Sequence, residues 1–394
     1  MSDAPRRLRV LFVIPSLAQA GAERYLHEYA RALDPRRYAI EVLTSEGAGP
    51  ADYYYRQLRA LGVPVHARLS GPRLSHLQAL LPPLRQLRAV KLAVGRAGSA
   101  IGELERSIRL RGLLAQFDVI SFLQIEAYYA LQPILPDNER VLIHLMSHRF
   151  QYDAPIYERL LPDRKYRFLV FDPNQVEELR GSPGASGETT LLPLALDLRG
   201  RESLYDPPAA GKKRVAIYSR IDPSRRLEPM MYAFQGLARR ADAELWLYGR
   251  GDATALGNLL DVLRIRDRVV LPGHQEDLEA SLRRDQPHLV WMISADGAVG
   301  YGTIEVGSFG VPVGFFNFGG ESEEAVRART DGAINTFASV PELVDWSARM
   351  LADQPALTAL GQRLRGYVRA TCDVQKSVHV LEAQYERLGA APRR

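Results

Sequence analysis

The chain has 394 residues, 46% hydrophobic and 25% charged, an ordinary balance that excludes a long disordered protein. That length exceeds what one hydrophobic core supports, so two domains of roughly 150 to 200 residues are expected. Cys372 is the only cysteine, which excludes an intramolecular disulfide and a cysteine-based zinc site; the net charge of +5 comes without the aromatic interleaving of nucleic-acid surfaces, so no nucleic-acid partner is expected.

The start, MSDAPRRLRVLFVIPSL, puts basic residues before an apolar run as a signal peptide does. The run is short and leads into Gly21, Glu23 and Arg24 without a small-residue cleavage site, so it reads as a first strand. LRVLFVIPSL (8–17) is continuously apolar, as parallel strands buried on both faces are. The turn AQAGAE, the helical segment AERYLHEYARALD and the strand YAIEVLTS complete a βαβ unit. Between Arg73 and Arg111 eight bases face only Glu103 and Glu105, while leucines recur at helical spacing around Pro82 and Pro83. This segment suits an amphipathic surface for anionic lipid, or a solvated helix with its stripe in the core. FDVISFL (117–123), RVLIHLMS (140–147) and YRFLVFD (166–172) read as further central strands. No stretch approaches the ~20 apolar residues that span a bilayer. The expected location is cytoplasmic, with residues 73–111 as the contact if the protein sits on the inner face of a membrane.

The second half repeats the plan. KRVAIYSRI (213–221) is a strand, PMMYAFQGLARRA a helix, AELWLYGRGD and DRVVLPGH two more strands, and HLVWMIS (288–294) a fourth. GTIEVGSFG reads as a helix, VPVGFFN as a strand, and the chain is helical from about 341. The expected fold class is α/β, with two Rossmann-like doubly wound domains facing across a cleft. The boundaries read as a first domain over 1–198, a linker over 199–212 and a second domain over 213–370. The closing helix, 371–394, is expected to pack back on the first domain.

Ligands of open α/β sheets bind beyond the carboxyl ends of the strands, so four loops are candidates. At Ala20-Gly21-Ala22-Glu23, glycine admits a close ligand and the helix start offers unpaired N–H groups, although a plain turn fits equally. In Ser219-Arg220-Ile221-Asp222-Pro223-Ser224-Arg225-Arg226, arginines past a strand end suit a diphosphate, or ion pairs with Asp222 and Glu228. Gly249 and, further on, Gly273 and His274 follow other strands, where each can wall a nucleotide pocket or merely turn the chain. The fourth loop is DGAVGYGTIEVGSFGVPV (296–313), in which Gly300, Tyr301 and Gly302 bring backbone N–H groups to a helix mouth. Glu305 is expected in that helix's first turn, where a diphosphate would repel it and a neutral diol such as a ribose would suit it. His144 and His148 fall four apart in an apparent strand, on one face; His148, at the strand's end, suits a hydrogen-bond donor better than a metal ligand.

Together these residues resemble the GT-B glycosyltransferases of family 4. FVIPSLAQAGAERYLHEYARAL is similar to the family's amino-terminal signature, and LLPLALDL (191–198) to its Pro-Asn-Gly-Val-Asp linker motif with Asp197 retained. SRIDPSRRLEPMMYAF resembles its phosphate-binding loop, and the likeness runs on through ELWLYGRGD and EVGSFGVPV to the closing helices. The resemblance implies a retaining, metal-independent transfer of a sugar from a nucleotide-diphosphate donor to a glycan, glycolipid or other hydroxyl acceptor, with no cofactor. It implies Arg220 and Arg225 on the donor phosphates, Glu305 on the ribose, Gly21 near donor sugar and acceptor, and His148 near the sugar's 6-position. One departure stands out. Where the family's E-x7-E motif has its first glutamate this chain has Gly297, leaving Asp296 as the candidate sugar contact and implying an unusual donor or a weakened catalyst. A nucleotide-sugar 2-epimerase and a non-catalytic sugar-binding subunit share the architecture and remain alternatives.

Overall fold

Long apolar runs that cannot tolerate water on either face become the centres of two parallel sheets. The computed structural model describes residues 6–67, 107–135, 138–148, 156–161, 163–182, 184–294, 300–317 and 323–390. The chain divides into two compact units: Met1–Pro193 with Ser377–Arg394, and Leu194–Lys376.

The first unit holds a seven-stranded sheet in the order β3-β2-β1-β4-β5-β6-β7. Its strands are β1 (Leu8–Ile14), β2 (Tyr38–Thr44), β3 (Val65–His66), β4 (Val119–Leu123), β5 (Val141–Leu145), β6 (Tyr166–Val170) and β7 (Gly187–Leu191). Every pairing is parallel. Val10 through Ile14 and the whole of β4 and β5 are buried, as a sheet with helices on both faces requires. The edge strand β7, GETTL, is mostly polar and half exposed, which is why no apolar run announces it. Strand order reverses between β1 and β4, and in doubly wound sheets the ligand crevice opens at such a reversal.

The closing helix Val374–Gly389 contributes Tyr385 to this core, edge-on to Phe12 and within 3.2 Å of Ser121 Oγ. Ser121 in turn meets Nε2 of the fully buried His144 at 2.6 Å, and Tyr25 OH takes Nδ1 at 3.0 Å. Burial holds the His144 pKa down to about 3. The unfolded chain protonates this imidazole near its ordinary value of about 6.5, whereas the fold keeps it neutral. Stability therefore falls as pH drops below about 6.5, by about 1.4 kcal/mol per pH unit for this group. Burial shifts His27 and His288 the same way, each to about 4. Urea unfolding at pH 5.5 should accordingly show a lower midpoint than at pH 7.5; an equal or higher midpoint would contradict the neutral buried state.

The second unit holds six parallel strands in the order β10-β9-β8-β11-β12-β13. They are β8 (Lys213–Tyr218), β9 (Ala243–Tyr248), β10 (Val269–Val270), β11 (Leu289–Ser294), β12 (Val313–Asn317) and β13 (Asn335–Phe337). The core packs Trp291 of β11 against the helices Glu228–Ala238 and Val340–Ala352, and its indole N–H donates to Ser347 Oγ at 3.0 Å. Only Val269 and Val270 of DRVVLPGH pair in the sheet, because Pro272 lacks the N–H a longer ladder needs. Residues 199–212, read from the sequence as a linker, include a stretch that packs on this unit: Leu204 N–H donates to the Phe309 carbonyl at 2.8 Å and Tyr205 OH to the His288 carbonyl at 3.1 Å. Cys372 is buried, and its thiol is pushed up to about 12, far from the thiolate that reacts. No helix among the described residues is long and apolar enough to cross a membrane. Residues 73–106 of the basic amphipathic segment lie outside the described residues; 107–114 are helical.

Candidate functional site

In the second unit the reversal of strand order falls between β8 and β11, so the loops after these strands and after neighbouring β9 and β10 gather along one sheet edge. The ends of β8 and β9 are rigid. Tyr218 and Tyr248 pair in register and stack at 4.6 Å with 7° between their planes. Tyr248 OH donates to Asp285 Oδ2 at 2.7 Å, while Tyr218 OH lies 3.2 Å from Ser281 Oγ; both partners are on the helix Leu278–Asp285. The two loops then run on side by side, with Ser219 N–H donating to the Tyr248 carbonyl at 2.9 Å and Ile221 N–H to the Arg250 carbonyl at 2.7 Å.

That close approach explains two glycines. A β-carbon at Gly249 would lie 1.8 Å from the Ser219 carbonyl oxygen, and one at Gly251, with φ of +139°, 1.9 Å from that of Ile221. The bare backbone at both positions admits the neighbouring loop. Gly273 is different: its φ of +81° needs glycine for the turn, with nothing near its β-position, and its carbonyl accepts from Gly249 N–H at 3.2 Å. His274 beside it is half-buried, with its pKa lowered by burial and by Arg250, and its Nε2 is enclosed without a hydrogen-bond partner among the described residues.

Arg220 stands on the β8 loop with its side chain 60% exposed and Nε 3.6 Å from Asp222 Oδ2, a loose contact that leaves the guanidinium facing solvent. Arg225 is exposed at the end of the 3-10 turn Pro223–Arg225, and the left-handed Arg226 (φ +47°) ends that turn before the helix at Glu228. Two guanidinium groups thus stand on one six-residue span, Arg220 to Arg225, at the sheet edge.

Gly300 is the N-cap of the helix Tyr301–Ser308, with none of the described residues within 4 Å of its β-position. Tyr301 is buried, and a β-carbon added at Gly302 would meet Met292 at 3.6 Å. Glu305 is not in the first turn, as the sequence suggested. It is the fifth residue of a helix that starts at Tyr301, because Gly300 and not a later residue breaks the extended chain. Its partner is one the sequence reading missed: Arg201 Nη1 lies 4.0 Å from Glu305 Oε1, with both side chains one-fifth exposed. Arg201 is fixed by the Asp197 carbonyl at 3.0 Å, Ser308 Oγ at 3.3 Å and the Phe309 ring at 5.0 Å. An arginine in a stretch rich in proline and glycine gave no local signal of this role. Asp296 and Gly297 lie outside the described residues.

In the first unit, Gly21 opens the helix Gly21–Ala32 at the reversal point. His144 and His148 do not share a strand face. β5 ends at Leu145, so His144 points into the core and His148 sits three residues beyond the strand, 2% exposed, edge-on to Phe171. His148 Nδ1 lies 2.9 Å from Glu178 Oε1 on the helix Pro173–Arg180, which makes Nδ1 the protonated nitrogen.

Neither a protein-family model nor a curated protein matches the chain. Solved structures do. The chain is similar to HepE of Anabaena, determined in complex with UDP and glucose, at 15% identity and a TM-score of 0.68 over 96% of this chain and 100% of that one. It is similar to sucrose-phosphate synthase from Thermosynechococcus elongatus at 16% identity and a TM-score of 0.69, covering 98% and 100%. It is also similar to WaaG, a glycosyltransferase involved in lipopolysaccharide biosynthesis, at 12% identity and a TM-score of 0.62, covering 97% and 100%.

The chain has the GT-B fold. Identities this low carry the architecture and not the substrate. Within this GT-B fold the second unit brings Arg220, Arg225, Gly249, Gly273, His274, Gly300 and Tyr301 to strand ends or helix starts along one sheet edge, with Glu305 in the second turn of the helix that Gly300 caps. Gly21 and His148 belong to the first unit.

Proposed function

We propose that the protein is a retaining, metal-independent glycosyltransferase that moves a sugar from a nucleotide-diphosphate donor to an acceptor hydroxyl in glycan or glycolipid assembly. The observation that carries this reading is the pair Arg220 and Arg225, exposed on the loop after β8 at the ligand edge of a GT-B sheet. Cleavage of the anomeric bond leaves negative charge on the diphosphate, and fixed cations already aimed there stabilise that charge without reorganising. In the front-face course the resemblance implies, the departing phosphate oxygen takes the proton of the acceptor hydroxyl, so the protein supplies no nucleophile.

Glu305 serves the ribose in this reading. Arg201 Nη1 stands 4.0 Å from its Oε1, and a carboxylate can accept the two hydroxyl hydrogen bonds of a diol. His148, tied to Glu178 and 2% exposed, serves best by shaping the sugar pocket of the first unit. Glu305→Gln should raise the donor KM about tenfold or more, the loss of a charge-assisted hydrogen bond, with kcat less affected. An unchanged donor KM would remove Glu305 from the site.

The function itself is tested with a panel of UDP-, GDP-, ADP- and dTDP-sugars, by thermal shift and by release of the nucleoside diphosphate. HepE was captured with UDP-glucose, which makes that donor the first to try. Stabilisation by none of the nucleotides would end this reading.

A further inference from the structure

At the carboxyl edge of the first sheet two buried oxygens have no hydrogen-bond partner among the described residues, Glu23 Oε2 in the helix that follows β1 and Thr44 Oγ1 at the end of neighbouring β2. Glu23 is 6% exposed; its Oε1 accepts from Ser16 Oγ at 3.2 Å, and its Oε2 is enclosed with no hydrogen bond. Thr44, in register with Ile14 at the end of β2, is 1% exposed, and its Oγ1 also lacks a partner. Burial raises the Glu23 pKa, against the opposing pull of its own backbone N–H and of Ser16.

Glu23 is the third residue of the helix Gly21–Ala32, where a capping-box glutamate would reach back to the N-cap N–H. Here the Ala20 N–H donates to the Ala18 carbonyl at 3.1 Å and there is no side-chain cap, so capping does not account for Glu23. Ser16, in the loop between β1 and the helix, donates to the other oxygen of the carboxyl and so fixes the group. Across the reversal point, Gln124 directly follows β4 with φ of +84° and ψ of 140°, a conformation that costs a non-glycine residue energy and is usual at ligand sites. A carboxylate at this mouth repels a phosphate despite the favourable helix dipole. What it accepts is a hydrogen-bond donor that is neutral, and Thr44 beside the strand end suits the same kind of group.

We propose that Glu23 is a specificity residue of the first unit, its Oε2 accepting a hydrogen bond from a hydroxyl of a bound sugar, with Ser16 as its positioning residue. The proposal rests on the glycosyltransferase reading for its ligand. The hydroxyl belongs to the donor sugar or to the acceptor, and the experiment separates them.

The full chain, Glu23→Gln, Glu23→Ala and Ser16→Ala are compared in two measurements. The first is Tm at pH 8 without ligand. Glu23→Gln keeps the volume and removes a buried charge, so it should raise Tm by about 2–4 °C; a lower Tm would mark Glu23 as structural and overturn the proposal. The second is calorimetric binding of UDP, UDP-glucose, and glucose in saturating UDP, or of the corresponding GDP, ADP or dTDP probes if the panel selects them. Both Glu23 variants should bind a sugar probe about tenfold more weakly while binding of the bare diphosphate changes less than twofold. A loss for the nucleotide sugar assigns the hydroxyl to the donor, and a loss for glucose alone assigns it to the acceptor. Ser16→Ala should lose about threefold in the same arm. Unchanged binding of both sugar probes by folded variants overturns the proposal. Failure of the unsubstituted chain to bind any diphosphate sinks the enzyme reading instead, and the Tm comparison still reads the role of Glu23.

Discussion

Arg220→Ala combined with Arg225→Ala should lower the proposed sugar transfer by about 10³-fold or more and leave the fold in place. Each single change removes one fixed positive group from the departing diphosphate, an effect of about 10²-fold for a preorganised donor. The two act on one charge, so the double variant loses less than the product of the singles. Stability should move little, by about 0.5 kcal/mol at most, because Arg220 is 60% exposed with only a 3.6 Å contact to Asp222, and Arg225 is exposed. Arg220→Lys separates charge from shape: an ammonium keeps the charge and loses the two-pronged grip, so an intermediate rate is expected. The check is the rate of nucleoside diphosphate release beside a thermal melt. A double variant with full activity would leave the protein without its proposed phosphate site.

Gly249→Ala is the second large effect, and it acts through backbone. The added methyl would stand 1.8 Å from the Ser219 carbonyl oxygen, with the Ser219 carbonyl carbon at 2.9 Å and Arg220 Cα at 3.5 Å. No rotamer change relieves a clash between a Cβ and a carbonyl, so the two loops must part. Stacked Tyr218 and Tyr248, anchored through Ser281 and Asp285, resist that movement. The expected cost is about 3 kcal/mol, or ~6–12 °C in the melting of the second unit, together with weaker donor binding as Arg220 is displaced. Gly302→Ala is the matched control. Its nearest contact is Met292 Cε at 3.6 Å, and its melting temperature should stay within about 2 °C of the parent. Equal melting of the two variants would show that the loops after β8 and β9 are not in this contact.

Periodicity and punctuation were enough to read two doubly wound sheets. LRVLFVI is apolar apart from Arg9 and LVWMIS apart from its final serine, a pattern suited to strands covered on both faces, and Pro15 follows the first of them. Strands short of apolar residues escaped that reading. β7 is GETTL at an exposed edge, β3 is two residues and β13 three, while DRVVLPGH reads as a strand of which only Val269–Val270 pairs. The placement of Arg220 and Arg225 past a strand end was legible too, because a strand-to-helix loop in a parallel sheet always emerges at the ligand edge.

Partners across the chain were not legible. Nothing local links Arg201 to Glu305, 104 positions on, or Ser121 to His144 and to Tyr385 in the last helix. The same holds for Gly249, whose requirement for a bare backbone is set by Ser219, and for Glu23, whose helical position is obvious and whose unpartnered oxygen is not. Secondary structure follows from neighbours along the chain, so composition and spacing determined the elements and the sheet edge to which the candidate loops belong. Which side chains are buried, paired or left without a partner depends on distances between segments far apart in the chain, and only the packed sheets decide those.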